Sequence, residues 1–147
     1  MGNTRRELLI AGALCVVTVQ PARAAADDLQ AAVRAFAGGT PPRSGRVRID
    51  ITPLVENGNA VPLTVSADSP MTADDHVSAI AVFNELNPQR EVAVFQFTPR
   101  SGRASVATRI RLATSQKLVA VARMSDGSHW SATAEVVVTL AGCIEGS

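Results

Sequence analysis

The chain has 147 residues, which is enough for one ordinary domain but not comfortably for two. Its 14 Lys and Arg residues nearly balance 13 Asp and Glu residues, so it lacks the basic footprint of a protein that binds nucleic acid or an anionic membrane. Hydrophobic residues make up 46% of the chain, which excludes disorder over its whole length. Aromatic residues make up only 3%, too few for a surface that stacks bases or sugar rings.

Residues 1–24 have the pattern of a twin-arginine signal peptide. Arg5 and Arg6 precede an apolar run of about a dozen residues, which is shorter than a membrane-spanning helix. The run is followed by a small-x-small cleavage site at Ala22-Arg23-Ala24. We therefore expect export by the twin-arginine route, a periplasmic location and no membrane attachment after cleavage. The alternative is a short buried helix at an uncleaved N-terminus.

Residues 25–45 predict a short N-terminal helix and a proline-rich linker. Apolar residues from Leu29 to Phe36 recur at helical spacing after the carboxylates of Asp27 and Asp28, and Gly38-Gly39 ends the pattern. Residues 40–45 contain two prolines, which fix φ and disfavour helix in the preceding residue.

Residues 46–140 change to a period of two, which predicts a mainly β domain. Turn sequences separate about seven apolar runs, and this spacing is typical of an antiparallel, immunoglobulin-like β-sandwich. An antiparallel barrel is the structural alternative. The runs lie at residues 46–51, 61–65, 76–84, 91–98, 105–112, 116–123 and 129–140.

The C-terminal residues 141–147 predict a flexible arm that carries a thiol. Cleavage of the signal peptide would remove Cys15 and leave Cys143 as the one cysteine, four residues from the chain end. Small residues at Ala141, Gly142 and Gly146 favour a mobile tether that could enter a cleft of another protein. A buried Cys143 that acts as a small hydrophobic residue is the alternative.

No other group of residues predicts catalysis. His76 and His129 have no His or Cys partner at metal-ligand spacing, and Asp74-Asp75 is typical of a solvated loop. No nucleophile-elbow pattern is present. The pattern therefore indicates a protein on which other enzymes act, rather than an enzyme itself, and we expect it to hold no metal and no cofactor.

Several short strings of the sequence lie at residues 55–62, 68–72, 87–88, 97–99, 109–113 and 120–127. Their order, together with the terminal cysteine, resembles the SoxY family of the thiosulfate-oxidising Sox system. The resemblance covers essentially the whole chain after the signal peptide.

The resemblance implies a sulfur-carrier subunit with an immunoglobulin-like fold. In the family, an arm cysteine is joined to thiosulfate through a sulfur–sulfur bond and is presented to separate Sox-type enzymes. The resemblance also implies a SoxZ-like β-sandwich as the partner in a heterodimer. By position, the residue that holds the sulfur species here is Cys143.

The arm itself departs from the family pattern, in which glycines flank the cysteine on both sides. This chain has Ala141 and Gly142 before Cys143, and Ile144 and Glu145 after it. Side chains at Ile144 and Glu145 reduce backbone freedom and add bulk and negative charge. The departure is typical of a SoxY-related paralogue and leaves the sulfur cargo open. A binding or assembly module, whose arm docks into a partner without carrying sulfur, is the alternative function.

Overall fold

The computed structural model describes residues 21–142. Residues 1–20 and 143–147 lie outside the described part of the chain. Most of the predicted signal peptide, including Cys15, and the arm residues Cys143, Ile144, Glu145 and Gly146 are therefore outside it, and the predictions for them stay predictions.

The helix α1, Pro21–Phe36, is longer than the sequence pattern predicts. It begins six residues before Asp27, because the alanine-rich stretch at its start has high helix propensity. It ends as predicted, with Gly38 and Gly39 both at positive φ. Cleavage at the predicted site would shorten α1 at its start and leave Leu29 and Phe36 in place.

Between residues 21 and 142, nine strands form two sheets that pack face to face. The larger sheet has the order β1-β9-β8-β5-β6, with β3 also paired to β9, and the smaller sheet has the order β2-β4-β7. The strands are β1 Arg43–Ser44, β2 Val47–Asp50, β3 Leu54–Val55, β4 Val61–Ala67, β5 Val77–Asn84, β6 Glu91–Gln96, β7 Ser105–Ile110, β8 Gln116–Met124 and β9 His129–Val138.

The main core lies between the two sheets, as the alternation of β4 shows. Val61, Leu63 and Val65 are buried and the residues between them are not. Opposite them, the large sheet contributes Ile80 and Leu118, both fully buried. Period-two burial on facing sheets is the pattern of a sandwich core about 10 Å thick.

A second core lies on the outer face of the large sheet, beneath α1. Leu29 and Val33 of α1 are each 2% exposed and pack with Phe83, Val119 and Val121. The helix cover explains why β5 is buried on both faces over most of its length. Among residues 21–142, α1 is too short and too polar to cross a membrane.

The predicted immunoglobulin-like sandwich is confirmed, and the chain does not close into the alternative barrel. All seven predicted strands are present, but the sequence pattern does not predict β1 and β3. Both have only two residues and pair in parallel with β9. Because β1 lies within residues 40–45, the predicted linker is partly strand.

Candidate functional site

The last strand continues beyond Val138 as a hydrogen-bonded segment that leads to the C-terminal arm. The Val137 and Thr139 amides donate to Pro53 O and Val55 O at 2.8 and 2.9 Å. The Leu140 amide then donates to Glu56 O at 3.1 Å. The chain is therefore held to the β3 segment up to Leu140.

Three segments meet where this extension ends, around Gly58, Leu112 and Gly142. The Gly58 amide donates to Leu140 O at 2.9 Å, and the Leu112 amide donates to Gly58 O at 2.8 Å. The Gly142 amide donates to Leu112 O at 3.0 Å. We call this arrangement the glycine crossing; it lies at the loop end of the sandwich, between the β3–β4 and β7–β8 connections.

The crossing needs glycine at both positions because the backbones come so close. A Cβ on Gly58 would lie 2.3 Å from Leu112 O and 2.8 Å from the Gly142 nitrogen. A Cβ on Gly142 would lie 2.7 Å from the same Leu112 oxygen and 3.0 Å from both Gly58 O and Arg111 Cγ. Most of these neighbours are backbone atoms, which cannot move aside as a flexible side chain could.

A polar network of buried and half-buried side chains holds the Leu112 segment in place. The Asn87 side chain donates to Arg111 O at 2.8 Å and accepts from the Ala113 amide at 3.0 Å. Gln116, which is buried, donates to the same Asn87 oxygen at 2.7 Å. The Asn87 amide in turn donates to the side chain of buried Asn84 at 3.0 Å. This network orients the Leu112 carbonyl that receives the Gly142 amide.

The surface around the crossing is polar and carries charges of both signs. Arg111, Glu56 and Asn57 are exposed, and none of the three ion pairs found among residues 21–142 includes Arg111. Leu140, the last large apolar residue before the crossing, is 63% exposed.

Two residues of the predicted flexible arm, Ala141 and Gly142, lie within the described part of the chain. Ala141 is exposed, but Gly142 is buried and hydrogen-bonded. Gly142 is required here because its backbone packs closely against Leu112 O, and not because the position needs unusual backbone dihedral angles. Cys143 lies just outside the described residues and follows Gly142 directly.

Neither His76 nor His129 lies at this site, and the two histidines are not in contact with each other. His76 Nδ1 lies 3.1 Å from Thr72 O in the loop before β5, where the Asp75 amide donates to the Thr72 hydroxyl. His129 lies at the start of β9, edge-on to Phe36 of α1 with ring centroids 6.0 Å apart. Between residues 21 and 142, no cluster of three His, Cys, Asp or Glu side chains could hold a metal.

Sequence reasoning about the site does not find Gly58, Asn87 and Leu112. Asn57-Gly58-Asn59 indicates only a turn, and Gly58 does lie in a turn but not at positive φ. The available signal is the family resemblance, since its strings at 55–62, 87–88 and 109–113 all meet at the crossing.

The fold and this loop end define the class of the protein: a small immunoglobulin-like sandwich whose C-terminal segment is tied to one end of the domain. The family described as sulfur oxidation protein SoxY matches residues 33–143. The chain therefore belongs to the SoxY family. The sulfur carrier protein SoxY from Chlorobium limicola f thiosulfatophilum is 31% identical, with a TM-score of 0.66 over 78% of this chain and 99% of that one.

More distant structures share the fold alone. A superoxide reductase (neelaredoxin) from Ignicoccus hospitalis is 20% identical with a TM-score of 0.57, and the match covers 64% of this chain and 80% of that one. The superoxide reductase from Nanoarchaeum equitans is 14% identical with a TM-score of 0.55, covering 65% and 99%. No curated protein matches the chain.

Proposed function

We propose that this protein is an exported sulfur-compound carrier that holds a sulfur intermediate covalently on Cys143. Membership of the SoxY family and the match to the Chlorobium sulfur carrier support a carrier role in sulfur oxidation. The observation that carries the proposal is the position of Gly142. Gly142 is hydrogen-bonded to Leu112 O at the loop end of the sandwich, and Cys143 follows it directly in sequence.

The chemistry asked of the carrier is simple. If the cargo is thiosulfate, a thiol and thiosulfate join through a new sulfur–sulfur bond, and one proton and two electrons leave. An oxidising partner enzyme of the Sox type would accept those electrons. The carrier's own task is then to expose the thiol, and the reaction that removes the oxidised sulfur also belongs to a partner.

The proposed setting is the periplasm, reached by the twin-arginine route, with a SoxZ-like sandwich as the second subunit. Family membership supports partnership with SoxZ and Sox enzymes in general. Co-purification with a second small sandwich would support the heterodimer. A stable monomer at micromolar concentration, measured by light scattering, would count against obligate pairing.

The deciding experiment is the intact mass of the protein isolated from the periplasm of cells grown on a sulfur source. We expect a mass increment that reductant removes and that Cys143→Ser abolishes while the fold is retained. An unmodified thiol under every sulfur source tested, with the partner still bound, would contradict the carrier role and favour the binding module.

A further inference from the structure

Strand β6 forms one edge of the large sheet, and no strand within residues 21–142 pairs with its outer side. Residues 92–97 contain no charged side chain and no proline. Residues 92–95 are all half-buried, whereas the neighbouring strand β5 is buried over most of its length. A flat, largely apolar edge of this kind is a surface on which another strand can pair.

The other sheet edges carry features that discourage such pairing. Strands β1 and β3 have only two residues each. On the small sheet, β2 carries Arg48, which forms an ion pair with Asp68 at 3.3 Å, and β7 carries the exposed Arg109. Short length and charged side chains are the usual protection of a sheet edge, and β6 has neither after Glu91.

The hydrogen-bond register of β6 shows which of its backbone groups face away from the sheet. The Phe97 amide donates to Ser78 O at 2.9 Å, and these two residues lie directly opposite each other in the register with β5. Because alternate residues of an antiparallel strand bond to the same neighbour, Phe95 also bonds to β5, and the N–H and C=O groups of Val94 and Gln96 point outward. A bulge at the start of β6 limits this alternation to the rest of the strand.

We propose that β6 pairs in antiparallel orientation with β6 of a second copy of this chain, so that the two large sheets become one continuous sheet. The two-fold axis passes beside Phe95. Val94 of each copy then lies opposite Gln96 of the other, and all four outward N–H groups meet a carbonyl oxygen. In this register Phe95 lies opposite the same residue of the second copy, on the face that packs against the main core.

The charges at the two ends of β6 favour a second copy as the occupant of this edge. The strand begins at the exposed Glu91, and the exposed Arg100 follows its other end. In the antiparallel pairing, Glu91 of each copy lies next to the turn that contains Arg100 of the other, so opposite charges meet at both ends of the interface. Arg90, which precedes Glu91, is already paired with Asp28 at 3.4 Å.

The first test is the mass of the isolated chain, measured by light scattering over a concentration series up to about 1 mM. Reductant excludes pairs that are joined through cysteines. We expect a reversible dimer. Gln96→Pro removes an outward N–H group at an exposed position and leaves the bonds to β5 in place, so we expect the dissociation constant to rise at least about tenfold.

Ala107→Pro on β7 is the matched control. The Ala67 amide donates to Ala104 O at 2.9 Å where the register of β4 with β7 continues, so by the same alternation the Ala107 N–H group also points outward. Ala107 is exposed and lies on the edge strand of the small sheet. We expect the dissociation constant of this variant to stay within about twofold of the parent value.

Hydrogen exchange, followed by NMR on the parent chain, keeps the test valid if either proline variant does not fold. We expect the Val94 and Gln96 amides to gain protection as the protein concentration rises, while the Ala107 amide stays unprotected.

A monomer throughout the concentration series would overturn the proposal, as would a dimer that both proline variants weaken equally or that neither weakens. Protection of the Val94 and Gln96 amides only after a second kind of sandwich subunit is added would also overturn it, because another protein would then occupy the edge. None of these readouts needs a sulfur cargo, so a failed carrier function would leave them unchanged.

Discussion

At the residue scale, the charged side chain of Arg111 packs beside Gly142 at the start of the arm. Its Cγ lies 3.0 Å from where a Cβ on Gly142 would be, so the stem of the side chain packs on the last described residue. Arg109 lies two residues earlier on β7 and is also exposed. The pair differs in proximity to the arm but not in charge or exposure.

We expect Arg111→Gln to slow the reaction of Cys143 with an anionic disulfide reagent more than its reaction with a neutral one. Arg111 packs beside Gly142, the residue before Cys143 in sequence, and a nearby cation attracts an anionic reagent, so we expect the ratio of the two rates to fall about two- to threefold at low salt. The ratio also cancels any change in thiolate fraction. Arg109→Gln is the control, and an equal fall in both variants would show that only net charge matters.

His129 is the second residue with a testable charge effect. Burial lowers the pKa of His129, and nearby Arg123 lowers it further, against weaker opposite effects from Asp126 and Gly127. Its Nε2 is buried without a hydrogen-bond partner among the described residues. The neutral imidazole is therefore the form that the folded protein favours.

The sign of the pH effect follows from that direction. The unfolded chain protonates His129 first, near its ordinary pKa of about 6.5, so the contribution to stability is complete above that pH and is lost as the pH falls through the folded-state pKa. We expect the free energy of unfolding to fall less between pH 7 and pH 5 in His129→Gln than in the parent chain. The control, His76→Gln, removes the other histidine and leaves the contribution of His129 to the pH dependence in place. Equal slopes in the parent chain and His129→Gln would refute the assignment.

At the element scale, α1 is bound to the sheet by a narrow apolar face. Leu29 and Val33 are buried against the sheet, and Phe36 stacks edge-on to Phe83 with centroids 6.0 Å apart. An ion pair of 3.4 Å between Asp28 and Arg90 adds a link to the β5–β6 connection. Because the ion pair is exposed at Asp28, the burial of the apolar face stabilises the helix position more than the ion pair does.

Leu29→Ala should lower the free energy of unfolding by about 2–4 kcal/mol, since it leaves a cavity between α1 and the sheet. Gln30→Ala changes an exposed neighbour on the same helix and should stay within about 0.5 kcal/mol of the parent. Denaturant unfolding measures both. A small effect of Leu29→Ala would mean that α1 contributes little to the folded domain.

The elements also show what the sequence could and could not predict. Strand β4 is predictable because the alternating burial of Val61, Leu63 and Val65 gives the sequence a period of two. Strands β5 and β8 are buried on both faces and are predictable instead as apolar runs bounded by turn sequences. Strands β1 and β3 have two residues each, which is too short for a period to appear. Their pairing with β9 depends on contacts about 80 residues apart in sequence, as between Leu54 and Val137.

The site is predictable in part for a similar reason. The position of the thiol at the end of the chain is visible in the sequence, and the resemblance identifies the strings that meet there. The burial of Gly142 is not predictable, because a glycine required for close packing looks the same in a sequence as one that provides freedom. Only the distance to Leu112 O separates the two.

At the scale of the whole molecule, the sandwich is closed by its C-terminal segment. The extension of β9 bonds to the β3 segment on one side and to Leu112 of the β7–β8 connection on the other. It thereby joins the two sheets at the loop end. If this segment made no contacts with the domain, its removal would leave the stability of the domain unchanged.

Two shortened chains test this closure. One ends after Gly142 and the other after Thr139; both lack residues 143–147, so their difference isolates residues 140–142. The shorter chain loses the hydrogen bonds of the Leu140 and Gly142 amides and the bond that the Gly58 amide donates to Leu140 O. At a net contribution of about 0.5–1.5 kcal/mol for each of the three bonds, we expect the shorter chain to be about 1.5–4.5 kcal/mol less stable in denaturant unfolding. Equal stability would mean that the bonds of the glycine crossing contribute nothing to the stability of the domain. A loss in the expected range would mean that residues 140–142 stabilise the domain, so that separating them from the loop end costs the same free energy.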